Sequence, residues 1–114
     1  MSNDTKAYYS KWKQDFEKMK VHTPAAFQGF AALFSKTMAE NTLPVKTKEL
    51  VAVGIAVAQR CVPCINLHVQ KSLAAGANAE EILEAASVAV MMAGGPAYTH
   101  LPVVMDALSA LETS

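Results

Sequence analysis

Apolar side chains recur with a helical period along most of the chain. Between Asp4 and Lys20, the residues Tyr8, Trp12, Phe16 and Met19 stand three or four positions apart, with lysines between them. That spacing describes an amphipathic helix with an aromatic stripe, expected to face a core or another subunit. Thr23-Pro24 opens a second helix, with Thr23 as N-cap and Pro24 at the first helical position. Phe27, Phe30, Phe34 and Met38 form its apolar face, for which core packing is the expected use and an apolar substrate channel the alternative. Asn41 to Pro44 breaks the pattern. The third segment follows, and Glu49 is expected in its first turn.

Residues 50–58 read two ways. Val51, Val53, Ile55 and Val57 alternate with Ala52, Gly54, Ala56 and Ala58, which locally is a strand period. A strand, then C-x-x-C, then a helix would be a thioredoxin arrangement. Such a sheet needs further strands, and the rest of the chain offers none of convincing length. The segment is therefore expected as a buried helix whose small residues permit close backbone approach. Gly54 costs that helix about 1 kcal/mol relative to alanine.

The remaining elements are punctuated clearly. A fourth helix starts around Cys61 to Pro63 and runs to Ala75, where Gly76 provides a left-handed stop. Asn78 caps a fifth helix, and Glu81 three residues later completes a capping box. Gly94-Gly95-Pro96 ends it. The last helix spans about residues 96 to 111, and Pro102 must kink or restart it. The chain is one all-α domain over residues 1–114, of about six helices with short connections.

Composition narrows the function classes. Hydrophobic residues make up 52% and charged residues 18%, which fits a globular domain and excludes a disordered one. Net charge is zero, so neither a nucleic acid nor an anionic membrane is an expected partner. Lys11, Lys13, Lys18 and Lys20 alternate with Asp15 and Glu17, as on a solvated helix face. The start, MSNDTKAYYS, does not read as a signal peptide, and no apolar run approaches the roughly 20 residues that span a bilayer. A cytoplasmic location is expected. There a lone C-x-x-C is redox-active or metal-binding more often than structural.

The candidate chemistry gathers between Glu49 and Gly76. Cys61 and Cys64 form the C-x-x-C pair, His68 follows four residues on, and Glu49 lies twelve residues before Cys61. On one helix, spacings of three, four and seven put both sulfurs and the imidazole on one face. At the helix start, free N–H groups and the helix dipole favour a Cys61 thiolate. The arrangement suits a disulfide that opens and closes beside a base. If the third and fourth helices are antiparallel, Glu49 lies ~16 Å down one and His68 ~10 Å down the other. Side chains, with a water if needed, bridge such an offset. A Glu49–His68–Cys64 relay then follows the logic of nucleophile, base and orienter. Competing readings remain: inert thiols, a core histidine, a zinc site using His68 with Glu49 or His22, and Glu49 as a helix-terminal charge. C-x-x-C-x-x-x-H supplies only three metal ligands. His22 and His100 stand alone near helix ends and are expected at the surface.

Glu49, Cys61, Cys64 and His68, followed by the A-A-G-A of residues 74–77 and the Glu80–Glu81 pair, resemble the AhpD-like alkylhydroperoxidase group. That group lies within the carboxymuconolactone decarboxylase superfamily, and the resemblance covers about residues 25 to 110. It implies an all-helical homo-oligomer, trimeric or hexameric. It implies a hydroperoxide substrate and no bound cofactor, with reduction by an external dithiol of thioredoxin or lipoyl type. By the same resemblance Cys64 is the peroxidatic cysteine, Cys61 the resolving one, and His68 and Glu49 the proton relay. One departure stands out. Well-studied alkylhydroperoxidases carry a histidine just before the second cysteine, where this chain has Pro63. The superfamily's lactone decarboxylases lack the cysteine pair, so a lyase is the lesser alternative. A non-catalytic oligomer that senses redox state or holds a metal is the other.

Overall fold

A computed structural model describes residues 2–112. Its elements are α1 (Ser2–His22), α2 (Pro24–Met38), α3 (Val45–Ala58), α4 (Val62–Ala74), α5 (Ala79–Ala93), a single turn α6 (Gly95–Tyr98) and α7 (Leu101–Glu112). No strand occurs among the described residues, so the alternating run at residues 50–58 is helical. Burial decides it. Val53 and Val57 are fully buried on α3, each contributing up to ~1.5–3 kcal/mol, and Ala56 is buried beside them, which outweighs the local alternation. A Cβ added at Gly54 would lie 3.4 Å from the Ala85 carbonyl, so the glycine lets α5 pass close.

α3 is the central helix and packs mainly against α4 and α5. α4 packs in turn on α7, and α7 on α1. Ile65 and Val69 of α4, Ile82 of α5 and Val104 of α7 are fully buried and complete the core. The fifth helix starts as its sequence requires. Asn78 Oδ1 accepts from the Glu81 N–H at 2.8 Å, and Glu81 Oε1 accepts from the Asn78 N–H at 3.0 Å. Lys46 reaches Glu81 at 2.8 Å and ties the first turns of α3 and α5. Gly76, at φ 99, closes α4 in the left-handed region that favours glycine.

At Pro102 the last helix restarts, one of the two outcomes expected: α6 stops at Tyr98 and α7 starts afresh at Leu101, because Pro102 has no N–H to bond backwards. Two expectations need correction. Thr23 precedes Pro24 as expected, yet its hydroxyl does not cap α2. It donates instead to the Met19 carbonyl at 2.6 Å and closes α1. The α2 phenylalanines do not enter the core, since α2 has no buried residue. Phe30 is 64% exposed and Leu33 61%. Phe27 meets Phe16 of α1 edge-on at 4.9 Å, while Lys48 Nζ donates to the Thr37 and Ala39 carbonyls and holds the end of α2 against α3. A helical period identifies an apolar face without saying what covers it.

Candidate active site

Cys61 ends one helix and begins the next. The Arg60 N–H bonds the Val57 carbonyl at 3.0 Å and the Cys61 N–H bonds the Ala56 carbonyl at 3.1 Å. Together they close α3 in a Schellman motif. Arg60 takes the left-handed position at φ 57, which costs a non-glycine residue about 1–2 kcal/mol. Cys61 is then extended and serves as N-cap of α4, its Sγ accepting from the Cys64 N–H at 3.2 Å. Pro63 fits within the first turn of α4, where a missing N–H costs nothing.

Cys61 and Cys64 are joined in a disulfide, with Cα atoms 5.2 Å apart. Cys64 is exposed and Cys61 half-buried. One turn further along α4, His68 Nδ1 lies 2.7 Å from Glu49 Oε1 of α3. Glu49 is only 3% exposed. An ionised carboxylate can only accept, so a neutral imidazole in this contact would donate from Nδ1–H and keep its lone pair on Nε2. The contact is direct, with no need of the bridging water that the helix lengths allowed. Because α3 starts at Val45, Glu49 falls beyond the first turn, contrary to expectation, and no acidic residue occupies that turn. Glu49 is thus no helix-terminal charge. It is a buried acid whose partner is an imidazole, and leaving either one unpaired would be costly.

The structure thus brings Glu49 and His68 together and joins Cys61 to Cys64, with Cys64 and His68 one turn apart on α4. In the disulfide form no hydrogen bond joins His68 to either sulfur among the described residues. Nor is any group of three or more His, Cys, Asp or Glu arranged there to hold a metal ion. His22 ends α1 and is exposed, whereas His100 is half-buried and pairs with the Pro96 carbonyl at 2.8 Å.

The structure adds residues that sequence reasoning passed over. Phe34 of α2 stacks nearly flat on the His68 ring, centroids 5.8 Å apart and planes 11° apart. Lys71 Nζ stands 5.3 Å from the same phenyl ring. Phe34 was visible only as one member of an apolar stripe, since its contact spans two elements. The Tyr9 hydroxyl donates to the Asn66 carbonyl, between Cys64 and His68, and fastens α1 to the same helix. Burial, then the neighbouring Tyr8, push the Tyr9 phenol well above its ordinary pKa, so it remains a donor.

A sequence profile of the carboxymuconolactone decarboxylase family matches residues 24–111. The chain belongs to the carboxymuconolactone decarboxylase family. A family protein of Legionella pneumophila has the same fold, with a TM-score of 0.82, 32% identity and 97% of each chain covered. A family protein of Thermotoga maritima, described as a candidate for involvement in the antioxidative response, also gives a TM-score of 0.82. It is 26% identical and covers 93% of this chain and 91% of its own. An uncharacterized protein of Cupriavidus necator is 28% identical over 96% of this chain and its own full length. The family match begins at Pro24, so it takes in α2 and the whole α3–α4 junction but not α1. The AhpD-like fold of the family agrees with the helical order found here. Among the described residues, no helix is long and apolar enough to cross a membrane.

Proposed function

We propose that this carboxymuconolactone decarboxylase family protein is a thiol-dependent hydroperoxide reductase that cycles through the Cys61–Cys64 disulfide. The observation that carries the reading is the 2.7 Å Glu49–His68 pair one turn along the helix that begins with that disulfide. In the reduced protein His68 Nε2 takes the Cys64 thiol proton. The thiolate attacks the terminal oxygen of a hydroperoxide, the O–O bond breaks, and the alcohol leaves with a proton returned through His68. Cys64 is now a sulfenic acid. The Cys61 thiol displaces water from it and forms the disulfide. An external dithiol of thioredoxin or lipoyl type supplies two electrons and two protons to restore both thiols. Its thiolate attacks the exposed Cys64, and Cys61 departs as a thiolate towards the Cys64 N–H. The cycle uses no bound cofactor, and its dithiol requirement fits the reducing cytoplasm.

Glu49 fixes the imidazole tautomer and steadies the imidazolium that forms, as an orienting acid does for a general base. Pro63 removes the histidine that some relatives place inside the pair, so the relay here runs through His68 alone. The described antioxidative link of the Thermotoga maritima relative points the same way. We also propose a homo-oligomer, trimeric or hexameric, as the working form. The exposed Phe30 and Leu33 of α2, and a groove of about 460 Å³ between α3 and α5 lined by exposed Val51, Ile55, Val88 and Met92, support it.

The test is single-turnover oxidation of the reduced protein by tert-butyl hydroperoxide. One disulfide should form per hydroperoxide consumed. Cys64→Ser should abolish the reaction, and Cys61→Ser should accumulate a sulfenic acid that dimedone labels. Thiols that survive excess hydroperoxide would leave a redox sensor or metal-binding oligomer as the better account.

A further inference from the structure

Arg60 occupies a position where glycine would be more stable. It is the only non-glycine residue with positive φ among those described, and it precedes the first cysteine directly. Its backbone serves the Schellman motif, which glycine would serve as well. Backbone strain held at a reactive site calls for a side-chain reason. The exposed guanidinium makes no hydrogen bond or ion pair with the chain among the described residues, so a contact within the fold is not that reason.

The other charged groups around α4 have their own places. Glu49 holds His68, Lys46 holds Glu81, Lys48 caps α2 and Lys71 lies over Phe34. α5 adds Glu80 and Glu84, and α7 adds Asp106 and Glu112, on the helices that flank α4. That leaves Arg60 as the cation next in sequence to the sulfur that caps α4.

We propose that Arg60 is an electrostatic positioning residue that stabilises the Cys61 thiolate, so that Cys61 leaves readily when an external dithiol opens the disulfide. The proposal rests on the redox reading of the pair, and it adds the reason for a strained arginine. Cys61 Sγ already accepts from the Cys64 N–H at the start of α4. A fixed positive charge on the preceding residue favours the same ionised form. The reaction it assists is balanced: protein disulfide and dithiol give protein dithiol and the oxidised, cyclic reductant. At low ionic strength, where screening is weak, a solvent-exposed charge on the adjacent residue is expected to favour the thiolate about two- to threefold.

The experiment titrates Cys61 by its alkylation rate against pH, in a Cys64→Ser background that leaves Cys61 as the one thiol. Arg60→Gly and Arg60→Asn both suit the left-handed position and remove the charge, whereas Arg60→Lys keeps it. At about 10 mM ionic strength the two neutral variants should shift the Cys61 titration upward by about 0.3–0.5 pH unit, with Arg60→Lys close to the parent. With both cysteines restored, in the same low salt and at a pH above the Cys61 titration, the equilibrium of the Arg60→Gly disulfide against dithiothreitol should move about two- to threefold towards the disulfide. Its Tm should rise by about 4 °C as the strain is relieved. Unchanged titrations in both neutral variants, or Arg60→Lys titrating with them, would overturn the charge role. A lower Tm in Arg60→Gly would overturn the strain argument. None of these readouts needs peroxide turnover, so they stand apart from a failure of the peroxidase reading.

Discussion

Two regions of the molecule carry similar apolar stripes and put them to different uses. In the α3–α4–α5 region the stripes meet one another. Val53, Val57, Ile65, Val69 and Ile82 all lose their solvent contact there. In the α1–α2 hairpin the stripes are covered only in part, α1 by α7 and α2 chiefly by α1. α2 has no buried residue, and Phe16, Met19, Phe30 and Leu33 are substantially exposed. The first region builds a rigid frame in which an acid, an imidazole and two sulfurs hold fixed relations. The second touches that frame chiefly through Phe34, Lys48 and Tyr9. Open apolar surface of this kind is what the proposed oligomer would cover.

The strongest way to break the contrast is to remove one apolar side chain from each region. Ile65 is fully buried, so Ile65→Ala should cost about 2–5 kcal/mol of unfolding free energy in urea melts. Phe30→Ser, at a position 64% exposed, should change the stability of a dissociated chain by less than about 0.5 kcal/mol. It should nevertheless lower the assembly mass seen by analytical ultracentrifugation. If the two variants cost the same in dilute, dissociated protein, α2 belongs to the core and the contrast fails.

A smaller effect separates two phenylalanines of α2. Phe34 lies flat on His68, whereas Phe27 meets only Phe16 among the ring contacts. Aromatic pairs are worth about 0.5–1.5 kcal/mol beyond burial. Phe34→Leu should therefore slow oxidation of the reduced protein by tert-butyl hydroperoxide about three- to tenfold, through a less well held imidazole. Phe27→Leu should leave that rate within about twofold. Equal losses would mean that α2 acts through its placement as a whole and not through the stack.

The same contrast explains which features were legible in the sequence. The Asn78–Glu81 capping box, the Gly76 stop and the C-x-x-C helix start are local, and local chemistry is written in adjacent residues. Glu49 and His68 could be brought together by counting helical rise, because a three-residue link fixes how α3 and α4 turn back. The Thr23 hydroxyl and the exposure of Phe30 were not legible. Each depends on which of two neighbours wins, or on a partner surface that periodicity does not name. Arg60 was hidden for another reason. Its left-handed backbone follows from Cys61 capping α4 immediately after α3 ends, and arginine carries no turn signal of its own.

The smallest expected difference lies in the ion pairs. Lys11–Asp15 spans one turn within α1, at 2.9 Å, and ties nothing else. Lys46–Glu81 joins α3 to α5 at the capping box. The Lys46 hydrogen bond, then the Asn78 N–H, hold the Glu81 carboxyl below its ordinary value of 4.5. A depressed carboxyl stabilises the fold above the unfolded value, and the contribution is lost as pH falls through the folded value. Lys46→Ala should therefore lower Tm slightly at pH 6 to 7, and the gap from the parent protein should close as pH falls below about 4.5. Lys11→Ala should produce a smaller gap at every pH, since an exposed pair within one helix is worth only about 0.3–0.5 kcal/mol. A Lys46→Ala gap that persists unchanged to pH 3 would assign the stabilisation to the packing of the lysine stem, and the link between α3 and α5 would then be apolar.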